Sequence, residues 1–230
     1  MIVVGLTGSI GMGKSTAAAA LRRLGIPVHD ADREVHRLYG RGGRAVPLIE
    51  KAFPGTTAGG AVELERLRRA VVGNAAALDR LEAIVHPMVR GVERRFLMRA
   101  AARRVPIVVL EVPLLFETGG DRRCDAVVVV SAPRRIQLAR VLARRGMTRE
   151  RLDALEARQT PDAEKRRRAD FVVHTGLGKR DSLRALTRIV RLLRDAQRQD
   201  RCGKSFSIPK RRGWKRGRAI ASSRSPASSS

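Results

Sequence analysis

Aromatic residues are scarce. They occupy 3% of 230 positions, as one Trp, one Tyr and five Phe. A core must therefore be built from Leu, Val, Ile and Ala, and the 43% apolar content is ordinary for a folded chain of this length. Cysteine is nearly absent. Cys124 and Cys202 show no metal-ligand spacing and no disulfide framework, which points to a reducing cytoplasm. No apolar run approaches the length of a membrane span. Residue 2 enters a strand pattern directly, with no basic segment before an apolar one, so no signal peptide is expected. Acids are few as well: 22 against 48 Lys and Arg, a net charge of +26. That balance implies anionic partners, either phosphorylated small molecules or nucleic acid, or else a solvated arginine-rich surface. There is no internal repeat.

What the chain does have is one glycine-rich loop, Gly8-Ser9-Ile10-Gly11-Met12-Gly13-Lys14-Ser15-Thr16. Before it, residues 2–6 form an apolar run that reads as a buried strand. After it, residues 16–24 are strong helix formers closed by Gly25. Strand, glycine loop and helix is the context a phosphate loop requires. The glycines let the backbone approach a phosphate, and the amides of Gly11, Met12, Gly13, Lys14, Ser15 and Thr16 then hold the anion. Lys14 is expected to reach the β- and γ-phosphates of a bound nucleotide, and the Ser15 hydroxyl to sit on Mg²⁺.

Residues 26–29 read as a second strand, ending in Asp30-Ala31-Asp32. Acids at the C-terminal edge of a parallel strand lie where open α/β sheets bind ligands. Asp32 can cap a helix over 33–39, yet capping accounts for only one of the two acids, and Asp32 is favoured as the catalytic one. Residues 40–103 read as a helical excursion without sheet, with helices over 46–53, 63–72, 75–85 and 88–102. Pro87 is expected to open the last of these, with His86 beside it as a cap or packing residue. By analogy with small kinases, such an insertion holds the phosphate acceptor.

Further strands are expected over 106–111, 125–130 and 170–175. Glu111 closes the first of these and could hold Mg²⁺ through water; Asp30 is the alternative second acid. A helix over 134–145 puts Arg140 and Arg144 on one face, able to neutralise charge during phosphoryl transfer. Another helix runs from Thr148 to about Gln159, then a basic run, Lys165-Arg166-Arg167-Arg168, and a final helix over 181–196. Residues 201–230 hold nine Lys or Arg and no acid, and read as a disordered tail that could touch nucleic acid or anionic lipid. The guanine-reading Asn-Lys-x-Asp of a GTPase switch is absent.

Residues 1 to about 198 resemble the dephospho-coenzyme A kinases. The resemblance rests on the loop, on Asp30-Ala31-Asp32, on Leu81 to Pro87, and on Val112-Pro113-Leu114-Leu115-Phe116-Glu117. It continues through Gln137 to Arg140, Arg144, Gln159, Lys165-Arg166 and Ala169-Asp170. It implies an α/β, three-layer P-loop NTPase fold with a five-stranded parallel sheet, a helical substrate-binding insertion (about 40–103) and a lid (about 134–165) within a kinase domain over 1–200. It implies ATP and dephospho-CoA as substrates and Mg²⁺ as cofactor. Asp32 would be the catalytic acid-base residue, Lys14 and the loop the ATP site, Arg140 and Arg144 charge-neutralising residues, and His86 and Pro113 substrate contacts. A monomer is expected. Three departures stand out. Ser9 stands where members often have Gly, and Leu64 follows Glu63 where an Arg is common. His174-Thr175 replaces an Asp-Asn expected near the adenine.

Overall fold

The computed structural model describes residues 1–201. The basic tail expected from the sequence thus lies, apart from Arg201, outside the described residues. In chain order the elements are β1 (Ile2–Thr7), α1 (Lys14–Arg23), β2 (Val28–Asp30), α2 (Ala31–Tyr39), α3 (Val46–Ala52), β3 (Thr57–Ala58) and β4 (Ala61–Val62). They continue with α4 (Leu64–Val71), α5 (Ala75–Ala102), β5 (Ile107–Glu111), a 3₁₀ turn (Gly120–Arg123), β6 (Ala126–Ser131) and α6 (Arg134–Leu142). Last come α7 (Arg149–Glu156), α8 (Asp162–Arg168), β7 (Phe171–His174) and α9 (Lys179–Arg201).

Five strands form one parallel sheet in the order β2-β5-β1-β6-β7, which places β1 and its loop at the centre. The β-branched runs are apolar throughout because both faces are covered. Val4, Leu6, Val109 and Val128 face Ala17, Ala18 and Leu21 of α1 and Leu186, Ile189 and Leu193 of α9. Their neighbours Leu110, Val127 and Val129 face the other way, onto Leu115, Phe116 and the Phe96–Leu97 step of α5. This period of two gives the two faces of the sheet their separate cores. Register is fixed by acids that stand just before strands. Val3 N–H donates to Asp125 Oδ2 at 2.8 Å, and Val127 N–H donates to Asp170 Oδ2 at 2.8 Å. Each acid thus satisfies an amide at the start of the neighbouring strand, where the ladder has not yet begun.

Between β2 and β5 the chain makes the helical excursion with its own apolar centre of Leu38, Val46, Ile49, Phe53, Leu67 and Val85. Two sequence expectations need correction here. The excursion is not free of sheet, since β3 and β4 make a small antiparallel hairpin turned by Gly59 and Gly60. Pro87 does not begin a helix either: α5 runs unbroken through it for 28 residues. Pro87 and Ala83 both lie on the exposed face, so the Ala83 carbonyl that loses its helical donor is open to solvent.

A third correction concerns capping. Asp30 is the N-cap of α2, its carboxylate accepting from Arg33 N–H at 3.0 Å. Asp32 lies inside the first turn of the helix and is free of that duty. Among the described residues no helix is long and apolar enough to cross a membrane.

Cys124 is buried against Leu115, and burial pushes its thiol up to about 12. At pH 8 the thiolate fraction is then about one part in 10⁴. In a Cys202→Ser variant, a thiol reagent is expected to label nothing in the folded protein and one thiol after denaturation. Rapid labelling of the native variant would contradict the buried placement.

Candidate active site

The glycine loop leaves the C-terminal end of the central strand, at the crevice where the sheet order reverses. A Cβ at Gly8 would stand 2.4 Å from Val130 Cγ2 and 2.6 Å from Val130 O, so the loop can turn off β1 only with glycine there. Gly13 caps α1 at φ 89°, in the left-handed region, and supplies no side chain to the first amides of the helix. Those amides open into the cleft as an anion site.

The outer side of the loop is held by side chains from β6 onward. Gln137 Nε2 donates to Ile10 O at 2.8 Å, and Ile10 N–H donates to Gln159 Oε1 at 3.4 Å. The Thr175 hydroxyl donates to Met12 O at 2.6 Å. The Met12 side chain turns inward, where its Sδ accepts from Ala132 N–H at 3.1 Å, so Met12 can offer only its backbone to a phosphate.

Opposite these clamps is a cluster of charges. Register pairs Leu6 with Glu111 and Glu111 with Asp30, so three strand ends meet at one edge. Glu111 is buried, with Oε1 3.1 Å from Lys14 Nζ and Oε2 3.4 Å from Arg22 Nη2. Arg22 also lies 3.8 Å from Asp30 Oδ2. Lys14 Nζ is 4.0 Å from Asp32 Oδ2, and the Asp32 side chain is 62% exposed. Glu111 thus anchors the lysine while Asp32 stays open to a second reactant.

A cleft of about 670 Å³ follows the loop, lined also by Asp32, Pro113, Arg140, Arg144, Gln159 and Lys179. It is acidic where Asp32 stands and basic toward Arg140, Arg144 and Lys179. Pro113 is fixed there by Thr7, whose hydroxyl donates to Pro113 O at 3.0 Å. Arg140 is docked rather than free: Nη2 donates to Thr175 O at 2.7 Å and Nη1 to Thr175 Oγ1 at 3.1 Å. The shared helix face expected for Arg140 and Arg144 is not found, because α6 ends at Leu142 and Arg144 lies beyond its cap. His86 stands exposed on α5 and does not line the cleft.

Among the described residues no group of three or more His, Cys, Asp or Glu is placed to hold a metal. Sequence reasoning assigned no role to Thr175 or Gln137. Thr175 is visible in the sequence only as a departure from the expected Asp-Asn, and Gln137 only as one residue of a stretch that carries the family resemblance.

The family model described as dephospho-CoA kinase matches residues 2–179. The chain is 63% identical over 166 residues to a dephospho-CoA kinase of Paramagnetospirillum magneticum, covering 72% of this chain and 78% of that one. It is 56% identical over 184 residues to a dephospho-CoA kinase of Brucella melitensis, covering 80% and 90%. A Thermus thermophilus protein of known crystal structure superposes with a TM-score of 0.72 at 38% identity, over 83% of this chain and 96% of that one. A dephospho-CoA kinase from Campylobacter jejuni shares the fold with a TM-score of 0.57 at 21% identity, over 83% and 96%. A central strand running into a phosphate loop, an open carboxylate facing its lysine and this degree of identity agree: the chain belongs to the dephospho-CoA kinase family.

Proposed function

We infer that the protein transfers the γ-phosphoryl group of ATP to the ribose 3′-hydroxyl of dephospho-CoA, releasing ADP and CoA. The observation that carries the reading is the placement of Asp32, open to the cleft and 4.0 Å from the phosphate-loop lysine. The loop amides from Gly11 to Thr16 hold the β- and γ-phosphates, with Lys14 between them and Glu111. The acceptor hydroxyl enters from the Asp32 side, beside Pro113. Asp32 takes or orients its proton, the oxygen attacks the γ-phosphorus in line, and the bond to the β-phosphate oxygen breaks. Arg144 and Lys179 offset the negative charge from the basic end. Arg140, through Thr175, fixes the segment that borders the nucleotide.

Magnesium fits this site as an ion carried in on the nucleotide. Such an ion would keep most of its ligands as water and phosphate oxygens, and the exposed Ser15 would be the protein residue to hold it. Bound there, it would neutralise phosphate charge. Glu111 is already occupied by two cations, which leaves Asp30 as the freer of the two acids near it. The excursion over 40–103 is assigned to the rest of the acceptor and residues 134–165 to the cover. His86 has no part in the transfer itself.

The test is ADP formation from ATP and Mg²⁺ with dephospho-CoA, adenosine, AMP or shikimate as acceptor. Turnover with dephospho-CoA alone, yielding CoA, is expected. Activity on another acceptor instead would keep the scaffold and discard the substrate.

A further inference from the structure

Lys165 has a fully enclosed side chain, although it opens a run of four basic residues. Its ammonium lies 3.0 Å from Glu117 Oε1, and the Glu117 side chain is itself 16% exposed. Neither residue lines the cleft. Burial alone pushes the Glu117 carboxyl up, but its backbone N–H contacts and Lys165 outweigh that and hold it below the usual range. An isolated charge in this position would be costly, so each member requires the other.

What the pair holds in place is informative. The same Oε1 accepts from Thr160 N–H at 2.7 Å. Thr160 follows Gln159, whose amide oxygen receives the Ile10 N–H of the phosphate loop. Glu117 ends the segment that begins at Pro113, on the acceptor side of the cleft. Lys165 belongs to α8, whose first residue, Asp162, accepts from Ser131 Oγ at the end of β6 at 2.8 Å. A hydrophobic pair could fill this space, and replacing a buried ion pair by one is often neutral for stability. It could not present one oxygen to an ammonium and an amide together.

We propose that the Glu117–Lys165 ion pair is a positioning device for nucleotide binding: it fixes residues 159–160 so that Gln159 holds the tip of the phosphate loop at Ile10. Both are positioning residues, touching neither substrate. The proposal rests on the phosphoryl-transfer reading above, and it adds a link from the acceptor-side segment to the ATP site.

The test is a double-mutant cycle on Glu117→Gln and Gln159→Ala. It is read as the KM for ATP, the kcat and the Kd for Mg²⁺–ADP by calorimetry, with Tm recorded alongside. Glu117→Gln is expected to weaken ATP and ADP binding about tenfold, with kcat changed far less. In the Gln159→Ala background the same change is expected to add less than about twofold, because the link is already cut. If Glu117→Gln does not fold, Glu117→Leu/Lys165→Met removes both charges together and is expected to show the same loss of nucleotide affinity. Full additivity would overturn the proposal, as would a lowered Tm with unchanged nucleotide affinity. The ADP measurement needs no acceptor, so failure of the wild-type enzyme on dephospho-CoA would count against the assigned reaction and leave this link separately testable.

Discussion

Asp32→Asn is expected to lower kcat about 10³-fold, the range lost when a positioned general base is removed. Affinity for ATP should hardly move. Asp32 makes no hydrogen bond to the loop, and its nearest charged partner, Lys14, is 4.0 Å away and keeps a closer contact at 3.1 Å with Glu111. The fold should be unaffected too, because Asp30 and not Asp32 caps α2. The change is therefore confined to the acceptor hydroxyl: Asn can still accept a hydrogen bond from it but cannot take its proton. Turnover of ADP formation and calorimetric binding of ATP separate the two quantities. Retention of most of kcat would remove Asp32 from the chemistry.

Lys14→Met should act on the other reactant and do more harm. On the reaction proposed above the ammonium is the loop cation that meets the phosphates, and losing one preorganised donor at developing charge costs about 10²–10³-fold in kcat. Here ATP affinity falls as well, so kcat/KM for ATP is expected to drop further than kcat. A second consequence follows from Glu111. Its carboxylate is buried and shared between Lys14 and Arg22, and the substitution leaves Arg22 as its cation at 3.4 Å. Stability should therefore fall, because a buried carboxylate loses the nearer of its two cations. A Glu111→Gln/Lys14→Met pair should recover Tm without recovering activity. A Lys14→Met enzyme with wild-type affinity for ATP would refute this placement of the lysine.

The candidate site was legible where chemistry sits in consecutive residues. The loop from Gly8 to Thr16 carries its own context of strand and helix, and Asp30-Ala31-Asp32 follows directly from a strand end. The apolar runs identified the three central strands, because residues buried on both faces leave little else for such segments to be; the two edge strands, β2 and β7, showed as shorter apolar stretches. What could not be read depended on partners far along the chain. Lys165 reads in the sequence only as the start of a basic run; Glu117, which accounts for its burial, belongs to another segment. Arg140 read as a free charge over the phosphates, while its docking to Thr175 required the β7 end to be placed beside α6. At Pro87 a sound local rule gave the wrong break, since the cost of a proline depends on whether the orphaned carbonyl meets water, and exposure is a tertiary property. The capping acid differs because α2 begins two residues earlier than expected, at Ala31, with Asp30 as its cap.

The long helix that runs through Pro87 has a meaning for how the molecule melts. Residues 75–102 span about 42 Å. Leu81, Ile84 and Val85 near the first half belong to the apolar centre of the excursion, while Phe96 and Leu97 in the second half cover the sheet. Neither centre can come apart without stripping one end of a helix that the other still needs. The side of the protein assigned to the acceptor and the side assigned to ATP are therefore expected to melt in one transition. A void cut into the excursion at Ile49, far from the phosphate loop, draws on the stability of the loop as well.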